Sequence, residues 1–143
     1  MQNGFEIEYL DDNAPGIGRL EDYEKLRAEY EFAFVALGNP ELREKWFEKL
    51  KTVGYKMVCL ISERAMISSS NLIEEGAVVM ASAVIQAGAE IGKGSIISAG
   101  AIVDHDAKVG CFSHINCNAV IPAMEKVPDK LKVNYGQVYV EEL

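Results

Sequence analysis

Residues 67–121 read ISSSNLIEEGAVVMASAVIQAGAEIGKGSIISAGAIVDHDAKVGCFSHINCNAVI, and an aliphatic residue returns in this stretch at every sixth position. The series begins Ile67, Ile73, Val79, Ile85 and runs without a gap to Val127 and Val133, twelve positions in succession. Ile, Leu and Val are 35 of the 143 residues, so twelve chance hits in one frame have a probability of about 10⁻⁷. Four positions after each aliphatic stands a small or short residue, from Asn71 and Ala77 through Ala101, Ala107, Ser113 and Ala119, until Glu125 interrupts the pattern. A period of six suits neither a 3.6-residue helix nor one flat strand. It suits a coil whose every side is one short strand and one turn. Three such sides close a triangle, and residues eighteen apart then stack: Ile67 with Ile85, Val103 and Ile121; Ile73 with Ile91, Val109 and Val127; Val79 with Ile97 and Ile115. The small residues also point inward, near corners where space is short. Hexads 67–120 make three complete coils.

The residues before the repeat have a different rhythm. Phe5, Ile7 and Tyr9 alternate with Glu6 and Glu8, which predicts a strand over 5–10, stopped by the turn residues Asp11-Asp12-Asn13-Ala14-Pro15-Gly16. Leu20, Tyr23, Leu26 and Tyr30 recur at helical spacing, and Glu31 to Leu37 is an apolar run suited to a buried parallel strand. A second helix has full punctuation: Asn39 as N-cap, Pro40 at the first helical position, Leu42, Trp46, Leu50 and Val53 on one face, Gly54 as the stop. A third strand is expected from Tyr55 to Ile61. The alternation predicts a small parallel βαβαβ sheet, a fold class that places ligands at the carboxyl ends of its strands, where Asp11 and Asp12 stand. Gly16-x-Gly18 follows a turn rather than a strand end and so lacks the context of a phosphate loop.

Composition narrows the function. With 49% hydrophobic and 25% charged residues the chain buries a real core. The net charge is −8, with −4 from each of residues 1–64 and 65–143, so nucleic acid is not an expected partner. No apolar run is long enough for a membrane span, and Met-Gln-Asn-Gly-Phe-Glu does not begin a signal peptide, so a cytoplasmic address is expected. Cys59, Cys111 and Cys117 lack C-x-x-C spacing and only two histidines are present, which predicts reduced thiols and no metal site.

Ile91-Gly92-Lys93-Gly94-Ser95, Val109-Gly110-Cys111-Phe112-Ser113 and their neighbours resemble the hexapeptide-repeat acyltransferases, whose fold is a left-handed parallel β-helix. The handedness is implied by the resemblance alone. Within that family the segment Phe34 to His114 is similar to the sialic-acid O-acetyltransferase and bacterial UDP-amino-sugar N-acetyltransferase group. The matching motifs are Ala36-Leu37-Gly38-Asn39-Pro40-Glu41-Leu42-Arg43, Ala65-Met66-Ile67-Ser68 and Val103-Asp104-His105-Asp106. The implied organisation is a truncated nucleotide-sugar-binding-like α/β domain over 1–64, a left-handed β-helix over 65–121 and a cap over 122–143. The implied activity is acetyl transfer from acetyl-CoA to a hydroxyl or amine of a sugar or nucleotide sugar, in a homotrimer.

Acetyl transfer from a thioester needs a base for the acceptor's proton and a donor for the developing oxyanion. His105, set between Asp104 and Asp106, is the candidate base, and a carboxylate on one ring nitrogen would fix its tautomer. The resemblance assigns that orienting role to Asp106. Strict strand alternation puts both aspartates opposite His105, so the assignment requires a turn here. The resemblance further implies His114 and Ala123 at the acetyl-donor site, and places Ser98 where the sugar N-acetyltransferases have an acceptor-contacting asparagine. Relative to that group, the first strand with its glycine-rich turn and several later coils have no counterpart in this sequence. The alternative reading is therefore a non-catalytic trimeric β-helix scaffold or binding protein.

Overall fold

A computed structural model describes residues 6–141. From Leu60–Ile61 to Lys132–Val133 the chain forms thirteen two-residue strands, arranged as three parallel sheets of four, four and five strands. The pairing has the eighteen-residue register: Ile67 lies against Ile85, Ile85 against Val103, and Val103 against Ile121. Ile73, Ile91, Val109 and Val127 form the second column, and Val79, Ile97 and Ile115 belong to the third. The third column also takes in Ile61 and Val133. The coil thus extends beyond the repeat legible at 67–121 at both ends. Past Glu125, Val127 and Val133 remain buried, and Tyr139 closes that end of the core.

The inward residues are the aliphatic and small positions of each hexad. Val79, Ile85, Ile91, Ile97, Val103, Ile115 and Ile121 are buried, as are Ala77, Ala83, Ala89, Ala101, Ala107 and Ala119. A corner position completes each hexad. Positive φ recurs at every sixth residue from Gly76 to Gly136, and Ser82, Asp106, Phe112, Asn118, Met124 and Lys130 occupy it without being glycine. A left-handed conformation costs an L-residue roughly 1–2 kcal/mol. A second contact supports it in the coil, because the N–H at the corner donates to the coil before: Gly100 to Ala81, Asp106 to Ala87, Phe112 to Lys93 and Asn118 to Ala99.

The N-terminal part agrees with expectation only in outline. Phe32–Ala33 (β1) pairs in parallel with Lys56–Met57 (β2), and the helix Pro40–Thr52 connects them, giving one βαβ unit. The Asn39 side chain caps the helix by accepting from the Leu42 N–H at 2.9 Å, and Gly54 takes φ +96° at its end. The predicted third strand is two strands in different sheets, Lys56–Met57 beside β1 and Leu60–Ile61 in the coil. The segment before Tyr30 is a short 3₁₀ turn, Leu20–Asp22, followed by a single helical turn, Tyr23–Leu26.

The predicted strand 5–10 does not join this sheet. Phe5 lies outside the described residues, and Leu10 makes an isolated bridge with Gly18. The cause is local. The Asp11 carboxylate accepts from the N–H groups of Asn13 and Ala14, and Ile17 N–H donates to Tyr9 C=O, so the chain folds back on itself. The helix face also differs. Leu42 is exposed, and the buried pair is Arg43 and Phe47, one turn apart.

An aspartate at Ile97, wholly buried in the third column, would place an unpaired carboxylate in the core at a cost of several kcal/mol. That is a large part of the roughly 5–15 kcal/mol that holds a typical domain together. Ile97→Asp is expected to abolish the cooperative melting transition seen by circular dichroism. Leu72→Asp, at an exposed outward position beside Glu90, is expected to keep it.

Candidate active site

His105 and Asp106 occupy a corner of the coil, immediately after the strand Ile102–Val103. The turn that the pairing requires is present: Asp106 has φ +58°, which breaks strand alternation and swings its carboxylate to the same side as the imidazole. His105 Nδ1 lies 3.0 Å from Asp106 Oδ2. A carboxylate can only accept, so Nδ1 carries the proton and Nε2 is left with the free lone pair. Asp104 acts on the backbone instead, its Oδ1 accepting from the N–H of His105 at 2.7 Å. The hydrogen bond that His105 donates to Asp106 is the main reason that the His105 pKa lies above the ordinary histidine value, and the negative charges of Asp104 and Asp106 add to it. Eighteen residues to either side stand Ala87 and Ala123, so the imidazole has small neighbours at its own corner in the adjacent coils. Met124 N–H donates to His105 C=O at 3.1 Å, which fixes the corner from above.

Space for Asp106 comes from Gly88 at the same corner one coil earlier. A Cβ on Gly88 would stand 2.3 Å from Asp106 Oδ1, and Gly88 itself has φ +71°. Phe112 above Gly94 and Asn118 above Gly100 repeat the arrangement. Glycine in one coil and a side chain over it in the next thus recurs at these three corners. The glycines at 76, 88, 94 and 100 share one phase of the hexad, and that phase was the available signal for the corner.

Ser98 and His114 come together on another side of the coil. Ser98 is buried at 4% exposure, and its Oγ lies 3.0 Å from His114 Nε2. His114 projects from the strand His114–Ile115, between Ile96 and Lys132 on the flanking strands. Its Nδ1 is buried with no partner among the described residues. Burial pushes the His114 pKa below the ordinary value, and the charges of Lys132 and Arg43 push in the same direction. The two histidines are therefore tuned oppositely.

Asp11 and Asp12 line a cleft of 660 Å³ bounded by the 8–20 segment, Trp46, Tyr55 and the chain from Phe32 to Leu37. Their carboxylates serve the local turn: Asp11 as described above, Asp12 by accepting from Leu20 N–H at 3.1 Å. Among the described residues no group of three His, Cys, Asp or Glu side chains is arranged to hold a metal ion. No helix among them is long and apolar enough to cross a membrane.

Sequence reading missed the buried Arg43, which joins helix Pro40–Thr52 to the coil through backbone carbonyls of Gly94, Phe112 and Ser113. Beside it, Phe47 packs edge-on against Phe112 at 5.4 Å, and Lys93 sits over both rings while pairing with Glu48.

Two substitutions test the electrostatics of the corner. Asp106→Asn removes the charge, and Gly88→Ala forces the carboxylate aside. Both are expected to move the His105 titration midpoint, followed by the imidazole ring protons in NMR, down toward the ordinary value while His114 stays in place.

Comparison with known proteins adds three findings. Residues 72–105 match the family described as bacterial transferase hexapeptide (six repeats). The acetyltransferase domain of PglB from Neisseria gonorrhoeae is 32% identical with a TM-score of 0.82, over 92% of this chain and 65% of that one, so the chain spans just under two thirds of that structure. The same domain in complex with acetyl coenzyme A matches at 31% identity and TM-score 0.85, over 94% of this chain and 78% of that chain. PerB from Caulobacter crescentus, in complex with CoA and GDP-perosamine, is 26% identical with a TM-score of 0.68, over 85% of this chain and 75% of that one. The shared coil, its repeat and these similarities together show that the chain belongs to the hexapeptide-repeat acetyltransferase family.

Proposed function

We propose that the protein transfers the acetyl group of acetyl-CoA to an amine on a sugar carried by a nucleotide, with His105 as general base. The observation that carries this reading is the His105–Asp106 pair at 3.0 Å, exposed on the coil corner with Nε2 free. The acceptor amine attacks the thioester carbonyl carbon, and His105 Nε2 takes the proton that the nitrogen loses. Collapse of the tetrahedral intermediate breaks the C–S bond, and the proton passes from the imidazolium to the departing CoA thiolate. Asp106 stabilises the imidazolium and holds the tautomer, as the acidic member of a triad does. His114 and Ala123 stand on the donor side in this reading, and Ser98, buried with its hydroxyl on His114, serves the acceptor side through that ring. Asp11 and Asp12 contribute from the N-terminal cleft, each engaging only one of its two oxygens in the turn bonds. The similarity to proteins with bound acetyl-CoA, CoA and GDP-perosamine supports this choice of ligands, and an amine rather than a hydroxyl is favoured by the likeness to GDP-perosamine N-acetyltransferase at 25% identity.

The coil winds left-handed in this reading and the working unit is a homotrimer. On one side of the coil the outward strand residues Met66, Val84, Ile102, Val120 and Val138 form a continuous apolar row, edged by Ser68, Gln86 and Asp104, with Met66 at 64% and Val138 at 59% exposure. The face of Glu90, Lys108 and Lys126 is charged. An apolar face of this kind marks a contact between proteins. Sedimentation equilibrium is expected to give three times the 15.7 kDa chain mass; a single 15.7 kDa species at micromolar concentration would reject the trimer.

CoA release followed with a thiol reagent tests the chemistry, with Cys59, Cys111 and Cys117 counted as background. Across a panel of amino and hydroxy sugar nucleotides, His105→Ala is expected to lower transfer by about 10²–10⁴-fold with donor affinity nearly unchanged. The active base is the neutral imidazole, and Asp106 raises its pKa, so the rate rises with pH through that raised value. Asp106→Asn moves the rise to lower pH and lowers the plateau by less than His105→Ala does. Equal CoA release by wild type and His105→Ala would favour the non-catalytic scaffold.

A further inference from the structure

Arg43 is 2% exposed, yet no acidic side chain among the described residues pairs with it. Its five N–H groups are taken up by five backbone carbonyls instead. Nε donates to Gly94 at 2.7 Å, one terminal nitrogen donates to Leu37 at 2.8 Å and Gly38 at 3.0 Å, and the other donates to Phe112 and, at 3.4 Å, to Ser113. These acceptors come from three separate places. Leu37 lines the N-terminal cleft with Gly38 beside it, Gly94 is a corner of one coil, and Phe112-Ser113 is the same corner of the next, directly before His114. A planar fork with all its donors engaged fixes direction as well as distance, which an ammonium group cannot do.

We propose that Arg43 is a positioning residue for His114, holding the Phe112 and Ser113 carbonyls so that the imidazole keeps its place over Ser98. The strand ladder fixes the backbone, with His114 N–H donating to Leu131 C=O and Ile96 N–H to Ser113 C=O, both at 2.9 Å, but the ring itself has only Ser98 on one nitrogen and no partner for the other among the described residues. Arg43 is itself a buried cation, and its charge adds to burial and to Lys132 in opposing protonation of that ring.

The chain has only two histidines, so ring-proton NMR resolves both, with His105→Ala assigning them. In Arg43→Gln the His114 midpoint is expected to rise toward the ordinary value while that of His105 holds. In Arg43→Lys, which keeps the charge and loses the fork, the His114 midpoint is expected to stay near wild type while its ring signals shift. The kinetic part rests on the reading that His114 faces the acyl donor: Arg43→Lys should raise the KM for acetyl-CoA at least about threefold with kcat within about twofold. A folded Arg43→Gln in which both the His114 ring signals and the His114 midpoint match wild type overturns the proposal. If Arg43→Gln does not fold, Arg43→Lys decides, and wild-type His114 signals together with wild-type KM overturn it. Wild-type protein that releases no CoA rejects the acetyltransferase reading alone, and the NMR measurements still decide the role of Arg43.

Discussion

Everything in the coil depends on its eighteen-residue register. Each strand gives its N–H groups to carbonyls of the following coil, as Met66 does to Ala83, Val84 to Ala101 and Ile102 to Ala119. Inward side chains are thereby stacked like on like, and a buried aliphatic in one coil meets another in the next. A slip of one residue would turn every inward position outward, because side chains alternate along a strand. Two-residue strands can make so few bonds each that no single one is stable. Only the repetition of the same register at every level makes the assembly cooperative, as in other stacked repeats.

The register also accounts for the chemistry of the two histidines. His105 sits at a corner, where the chain turns outward and water is near, so its charged form is stabilised by the carboxylate that the same corner brings beside it. His114 sits on a strand, half-buried between the flanking coils, so its charged form is disfavoured by burial first and by the charges of Lys132 and Arg43 next. Identical side chains nine residues apart thus acquire opposite tendencies from position alone. Environment-driven separation of pKa values is how one site gives different roles to similar groups. In the reaction proposed above, the imidazole that titrates above the ordinary histidine value is the one assigned to proton removal, and the one held neutral is assigned to ligand contact.

The coil was legible in the sequence because its signal is redundant: twelve aliphatic positions and their small companions report one geometry. Less of the N-terminal part was legible, because its signals were single. The alternation of residues 5–10 is satisfied equally by a strand and by an extended arm, and the Asp11 side chain selects the turn. Tyr55–Ile61 reads as one strand in composition but is shared between two sheets, which depends on tertiary pairing rather than local preference. His105 stands out as a candidate base from its place between Asp104 and Asp106, and the orienting role of Asp106 is implied by the resemblance, but the residues that make their pairing possible do not stand out. Gly88 and the left-handed corner phase are visible only once residues eighteen apart are set one above another. Arg43 escaped because a charged residue on a helix with polar neighbours is ordinarily a solvated one.

That burial of Arg43 has a physical logic. Removing a guanidinium from water costs several kcal/mol, and a single carboxylate partner would recover this only with ideal geometry. Five carbonyls do it differently. Hydrogen bonds to a charged donor contribute roughly 1.5–3 kcal/mol each, and the carbonyls at a left-handed corner are otherwise short of partners, since the turn has taken their residues out of the ladder. The corners of Gly94 and Phe112 therefore need donors at the place where the helix needs an anchor. An acidic partner would have satisfied the arginine but left these carbonyls bare beneath the helix. The carbonyl solution satisfies both and joins the βαβ unit to the coil through backbone, whose position varies less than that of any side chain. The strand that follows Ser113 is thus set by the same contact that seats the helix, and the geometry of His114 follows from the packing of the two parts of the chain against each other.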